Sequence, residues 1–426
     1  MKYLAVALIC ALALAAMLLP PAEPVTPGTV PASEVPPVSI CPIVEAGERH
    51  TNLSVLSSVN GSGRLSTFSA GEETGALDFR TGATGAVTLA AAEAGAVGVA
   101  GGLVEMPSET TAAASVTIGP ESRAAESCGD VPAGRTFLSG GSTLTGSSFE
   151  VQLINPYAGE ATVNLTVSTE TGIESNERFD AVIVPPLSSI TLPMTEIIPG
   201  RERISVDIET TRGSVISFGR QTTTGETALW RSVPAGQEWL LPVPPGGPTK
   251  RMLIATPEAS EIEYQVDLYG PEGFVESHAT GVIDARGVAL IPLAAITPEA
   301  VGIRVISTGP VVASLWVDSD FGLASTTGSP VDAPVWLLPG ASGPAGGSGS
   351  LVVLNAGIEP VTVSIRTLGE SALVRTLDVA AEDLLVERLV AADGYRVEAS
   401  APVVVMWSSQ LNGAGAAALG IPVQDG

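Results

Sequence analysis

Histidine occurs only twice in the 426 residues, as His50 and His278, and lysine only as Lys2 and Lys250. Two histidines far apart in the chain leave little for a Ser-His-Asp relay. Their flanks, Arg49-His50-Thr51 and Ser277-His278-Ala279, read as solvated turn or strand-edge positions. No Gly-x-Ser-x-Gly elbow, His-Glu-x-x-His helix, Walker loop or Gly-x-Gly-x-x-Gly stands between a strand and a helix. The expectation is therefore a protein that is not an enzyme, with no cofactor and no dedicated metal centre. Basic charge is scarce too: the net charge is −25 with no basic run. That excludes nucleic acid, which needs clustered Lys and Arg, and docking on anionic headgroups. Charged residues are 15% of the chain and aromatics 4%, whereas 47 Gly and 33 Pro suit a β chain with many turns.

One long apolar run exists. Lys2 precedes Leu4 to Leu19, an n-region and h-region of an export leader. The run ends in Pro20-Pro21 with no Ala-x-Ala site, and it is short for a spanning helix unless Tyr3 to Ala22 is counted. Residues 1–22 are accordingly a signal peptide or a retained membrane anchor, and the chain is secreted or held in the cell membrane with its C-terminal part outside. Residues 23–38 continue a Pro-rich stretch, Pro20 to Pro37, that favours extended polyproline and reads as a spacer.

Beyond the spacer one pattern of about a hundred residues recurs. Copies open at Phe137-Leu138-Ser139-Gly140, Trp239-Leu240-Leu241-Pro242 and Trp336-Leu337-Leu338-Pro339. Each continues with an alternating strand ending in a polar step (Phe149 to Pro156, Met252 to Pro257, Leu351 to Asn355) and a second strand (Ala161 to Thr169, Glu263 to Tyr269, Val361 to Thr367). A strand pair follows, split by Thr-Arg-Gly213, Thr-Gly309-Pro310 or Ser-Ala401-Pro402. Period-two alternation marks half-buried strands, and Gly and Pro mark the gaps. A period near a hundred predicts an all-β array of immunoglobulin-like sandwiches at 39–133 (degenerate), 134–235, 236–332 and 333–426. A β-propeller with two blades per repeat is the alternative.

Outside the leader the cysteines are Cys41 and Cys128. An even pair in an exported chain reads as a disulfide rather than a metal or catalytic site. They bracket Ala86 to Val104, rich in Gly and Ala, where small side chains bury little area; Glu93 and the glycines speak for strands there rather than a membrane helix. Asp318-Ser319-Asp320-Phe321-Gly322 looks like the start of a calcium loop, but the twelfth position is Ser329 and no helices flank it. It reads as a polar turn, with a loop calcium site at Asp318 and Asp320 as the alternative. Glu258, Glu261 and Glu263 read as a solvated edge, and the Gly343 to Gly349 run as a loop. Trp239, Trp336, Trp316 and Trp407 recur at fixed positions and read as core plugs. Trp230, between copies, suits a domain contact or a sugar platform. Asn52, Asn60 and Asn164 stand in glycosylation sequons.

These landmarks resemble a family of actinobacterial envelope proteins catalogued only as a domain of unknown function, the 5719 family. The Phe137 to Gly141 opening, the Ile154-Asn155-Pro156 step and the Cys41 and Cys128 pair carry the resemblance, over about residues 39–420. Thr256-Pro257 and Asn355-Ala356 depart from the Asn-Pro step. The resemblance implies an exported, anchored β protein with no catalytic residues to carry over. The expectation is a structural or interaction protein of the envelope, with an envelope protein or glycan as partner. Carbohydrate binding, or assistance in surface-polysaccharide assembly, is the alternative.

Overall fold

Strand-forming alternation is realised along the whole chain that the computed structural model describes. That is residues 38–423, apart from 58–59, 70, 83–84, 107–110, 121, 130–133, 224–225, 246–248, 271–272, 294–300, 320–321, 342–347, 369–372, 391, 393 and 412–413. The leader and most of the spacer lie outside the described residues, as does most of the Gly343 to Gly349 run. Among the described residues no helix is long and apolar enough to cross a membrane.

The first copy contains β1 (Val38–Glu45), β2 (His50–Ser57), β3 (Gly61–Ser69), β4 (Glu72–Thr81), β5 (Ala86–Ala90), β6 (Gly98–Glu105), β7 (Thr111–Ile118) and β8 (Arg123–Ser127). They form two antiparallel sheets in the orders β1-β6-β3-β4 and β5-β2-β7-β8. The second copy repeats both orders. One sheet runs Arg135–Ser139, Ile204–Arg212, Ala161–Thr169, Gly172–Glu174; the other runs Ser188–Pro193, Ser147–Asn155, Ile216–Thr223, Glu226–Arg231. Both sheets of a copy thus mix strands from its two ends. A propeller blade of strands consecutive in sequence cannot be cut from them, so the fold is a tandem array of β-sandwiches. The copy that reads as degenerate has the full strand complement.

After its last strand each copy crosses back to its first, bridging Gly129 to Ile40, Val233 to Phe137 and Ser329 to Leu240. In the fourth copy Ile421–Pro422 pairs with Trp336 and Leu337. These bridges align the copies residue by residue. They also correct one expectation. Thr-Gly309-Pro310 and Ser-Ala401-Pro402 are not turns between two strands: Val301–Ser319 and Gly394–Leu411 are continuous strands serving both sheets of their copy. Residues 301–306 pair with the opening strand Gly236–Val243, and 312–318 with Thr249–Ala255 in the opposite sheet. The proline falls where the strand changes sheets and its missing N–H costs no ladder bond. The second copy keeps the turn, with Gly213 at φ 72.

The four sandwiches pack in a cycle, each against the next and the fourth against the first. Ile40, Phe68 and Leu103 of the first meet Ile154, Ile216 and Phe218 of the second. Leu253, Ala255, Val288 and Trp316 of the third join the core of the second. Leu240 and Tyr269 of the third enter the core of the fourth, and Leu337 and Ile421 of the fourth cover Leu56 and Ala112 of the first. One size rule governs three of the four joints. Gly101, Gly302 and Gly394 lie opposite Pro42, Pro242 and Pro339 in register. A Cβ on them would stand 2.7, 2.4 and 2.9 Å from Ile154, Leu354 and Leu56 of the following sandwich. The register equivalents at the second joint are Ser205 and Ala255, where a larger residue on one side meets a smaller one on the other. Close-packed interiors require such compensation, because an overlap of one methyl group forces the backbone apart.

The polar step found in the sequence is a buried hydrogen-bond hub. Asn155, with no exposed surface, donates from Nδ2 to the carbonyls of Gly159, Val184 and Pro185 while Oδ1 accepts from Tyr157 N. Asn355 likewise donates from Nδ2 to Glu359 O and Ala380 O while its Oδ1 accepts from Gly357 N. Thr256 accepts from Glu258 N and donates to Pro310 O, so the hydroxyl substitutes for the amide. Asn155→Ala strands several buried carbonyls and is expected to cost about 3 kcal/mol, read as a shift of the urea midpoint at unchanged slope.

Candidate functional site at the central junction

The last strand of each copy, β8, Glu226–Arg231, Gly322–Thr327 and Ala414–Leu419, packs against those of both neighbouring copies, with Cα atoms within 8 Å. The residues there are small for that reason: Ala124, Ala125, Ser127, Ala228, Ser325, Thr326, Thr327 and Ala416 to Ala418 are all buried. By the bridge register, Ser127, Arg231, Thr327 and Leu419 are equivalent positions at one level of this junction. Ser127 Oγ donates to Leu419 O at 2.6 Å, and Thr327 Oγ1 donates to Arg231 O at 3.1 Å. Arg231 N donates to Glu126 Oε2 at 3.2 Å, and Glu126 Oε1 accepts from Ser127 N at 2.9 Å. Bonds at this level therefore join all four sandwiches. Trp230 is the bulkiest residue of the strand Glu226–Arg231, stacked on Phe149 at 5.6 Å and meeting Trp316 of the third sandwich edge-on at 5.6 Å.

Glu126 is 5% exposed. Burial pushes its carboxyl up to about 7, against the opposing pull of the Arg231 charge and of the two backbone N–H groups. A carboxyl titrating near neutrality suits proton transfer. Sealed between strands, however, it can exchange a proton but cannot reach a substrate. Nothing in the sequence marks it out, since Ala-Ala-Glu-Ser reads as an ordinary half-exposed strand.

The residues singled out in the sequence are dispersed. His50 and His278 are exposed, on the first and third sandwiches. Asp318 belongs to a strand, paired with Thr249 and Leu323, and Asp320 lies outside the described residues. Among the described residues no three His, Cys, Asp or Glu side chains could hold a metal. All five tryptophans are buried, Trp316 being the most exposed at 5%, so they are core residues and none offers a sugar platform. Cys41 and Cys128 form a disulfide, both fully buried, tying β1 to the segment after β8. Two open grooves line equivalent places on the first and third sandwiches. One, about 630 Å³, is bordered by Ser62, Arg64, Asp78, Arg80 and Glu105; the other, about 500 Å³, by Glu263, Gln265, Thr280, Ser307 and Thr308. Across the first, Arg64 pairs with Asp78 at 3.4 Å in an exposed contact worth well under ~1 kcal/mol.

No curated protein matches the chain. Among solved structures, a tetra-tandem repeat from the extending region of a large adhesion protein shares 14% identity, covering 90% of this chain and 98% of that one, with a TM-score of 0.12. The pilus backbone RrgB of Streptococcus pneumoniae shares 8% over 48% of this chain and 80% of its own, with a TM-score of 0.12. An α-L-rhamnosidase of Streptomyces avermitilis shares 8% over 85% and 54%, with a TM-score of 0.14. Scores this low carry no argument for this chain. Residues 122–328, from the last strand of the first sandwich through that of the third, match a family of unknown function, DUF5719.

Proposed function

We propose that the chain is an exported, non-enzymatic structural or interaction protein of the cell envelope, tethered by its N-terminal segment. The observation that carries this reading is the buried Cys41–Cys128 disulfide, because such bonds form and persist in oxidising, extracytoplasmic surroundings. The cyclic packing supports it: four small cores close on one another, and the histidines singled out in the sequence lie exposed on separate sandwiches. The strongly acidic surface keeps such a body soluble and away from anionic headgroups. Carbohydrate binding through tryptophan stacking loses its platform, since those rings are core. The test is expression of the full chain in a bacterial host, followed by fractionation and thiol alkylation before and after reduction. Recovery in the envelope fraction, accessible to added protease and with both cysteines blocked to alkylation, is expected. A cytosolic protein with free thiols overturns the reading.

A further inference from the structure

We propose that Glu126 is a proton-operated clasp of the ring: taking up a proton on its carboxyl tightens the junction of the first and second sandwiches. The argument starts from geometry. This is a carboxyl sealed at an interface, with one oxygen on its own strand (Ser127 N) and the other on the next sandwich (Arg231 N). The adjoining residues carry the bonds to the third and fourth sandwiches. Whatever Glu126 does is therefore felt at a point where all four bodies meet.

The charges around it are few. β8 itself brings Arg123, and the facing strand Glu226–Arg231 brings Arg231 and, at its far end, Glu226. β7 and the packed strands Gly322–Thr327 and Ala414–Leu419 have no titratable side chain. Arg231 spreads its guanidinium toward Cys128 O, 3.5 Å from Nη1, and its charge only partly offsets the desolvation of the carboxylate. The ionised form keeps both N–H bonds but carries an under-solvated charge between sandwiches. The neutral form removes that charge at the expense of one accepting oxygen.

The sign follows from linkage. An acid whose value is raised from 4.5 to about 7 on folding holds a proton that the unfolded chain has already released across that window. Stability conferred by the neutral form is complete at the acid end and is lost as the pH climbs toward and past 7. The folding equilibrium constant of the intact chain is expected to fall by roughly two orders of magnitude between pH 5 and pH 8 from this group. His50 and His278 are exposed and common to both variants, so the comparison cancels them.

The experiment compares the full chain with Glu126→Gln, a neutral isostere. Thermal unfolding is followed between pH 5 and 8, together with amide exchange in residues 123–128 and 226–233. Wild type should lose melting temperature and protection across these peptides as the pH rises, while E126Q stays flat and exceeds wild type at pH 8. An unchanged slope in E126Q overturns the proposal, as does a wild type with no slope. Should E126Q not fold, Arg231→Met decides. It keeps the backbone donor but removes the charge that holds the carboxyl down, so the transition should move to higher pH; a transition that stays put overturns the clasp.

Discussion

Replacing Trp230 with alanine is expected to destabilise the protein by about 4 kcal/mol, among the largest effects of any single side chain. The indole is wholly buried, stacks on Phe149 of its own sandwich and meets Trp316 of the next. Its removal therefore leaves a cavity at a joint as well as in a core. Phenylalanine at 230 should recover most of the loss, and the reason separates this tryptophan from its relatives. Trp230 Nε1 is buried with no hydrogen-bond partner among the described residues, so a ring without that group sacrifices only area. Trp239 Nε1 instead donates to Val311 O at 2.8 Å, and Trp336 Nε1 to Val403 O and Ala333 O at 2.9 Å each. These bonds hold the strand where it leaves one sheet for the other, and Phe there orphans buried carbonyls. The measurement is the ordering of denaturation midpoints: W230F near wild type, W239F and W336F clearly below it, W230A lowest.

Such a contrast could not be drawn from the sequence, which showed only that tryptophans recur. What it did show was local. Alternation located Ala161–Thr169 to the residue, because one face of that strand is sealed in the sandwich and the other is not. The Asn155 and Asn355 steps were visible as polar breaks closing apolar strands, and their chemistry as hubs follows from an amide having donors and an acceptor on one short stem. Gly309-Pro310 and Ala401-Pro402 misled, since the residues that mark a turn also serve where a strand bends between two sheets. The cyclic packing was out of reach. It depends on Gly101, Gly302 and Gly394 receiving Ile154, Leu354 and Leu56, and these pairs are recognised only once the four copies are in register. The Asp318 and Asp320 pattern illustrates the converse: the spacing read as a polar turn, but Asp318 lies in a strand with neighbours on both sides.

Removing the disulfide is expected to have the other large effect. Cys41 and Cys128 stand 87 residues apart in sequence, and closing a loop of that length restricts the unfolded chain by about 4–5 kcal/mol in the chain-entropy treatment. Alanine is the appropriate replacement at both positions, because each sulfur is sealed in an apolar core with Ile43, Leu53 and Val104, and a serine hydroxyl there would lack a partner. The first sandwich depends on this bond more than the others would. Its core includes five alanines, Ala91, Ala94, Ala96, Ala100 and Ala113, which bury little area per residue. Because that sandwich contacts both the second and the fourth, loosening it should be felt at two joints. Cys41→Ala/Cys128→Ala should melt well below wild type and lose amide protection in the Ser127–Leu419 and Ser54–Gly340 contacts as well as within β1 to β8. Reductant added to the folded wild type should act only as fast as the first sandwich opens, since neither sulfur is accessible. A double variant that lost protection in the first sandwich alone would mean that the other three hold their shape without a closed ring.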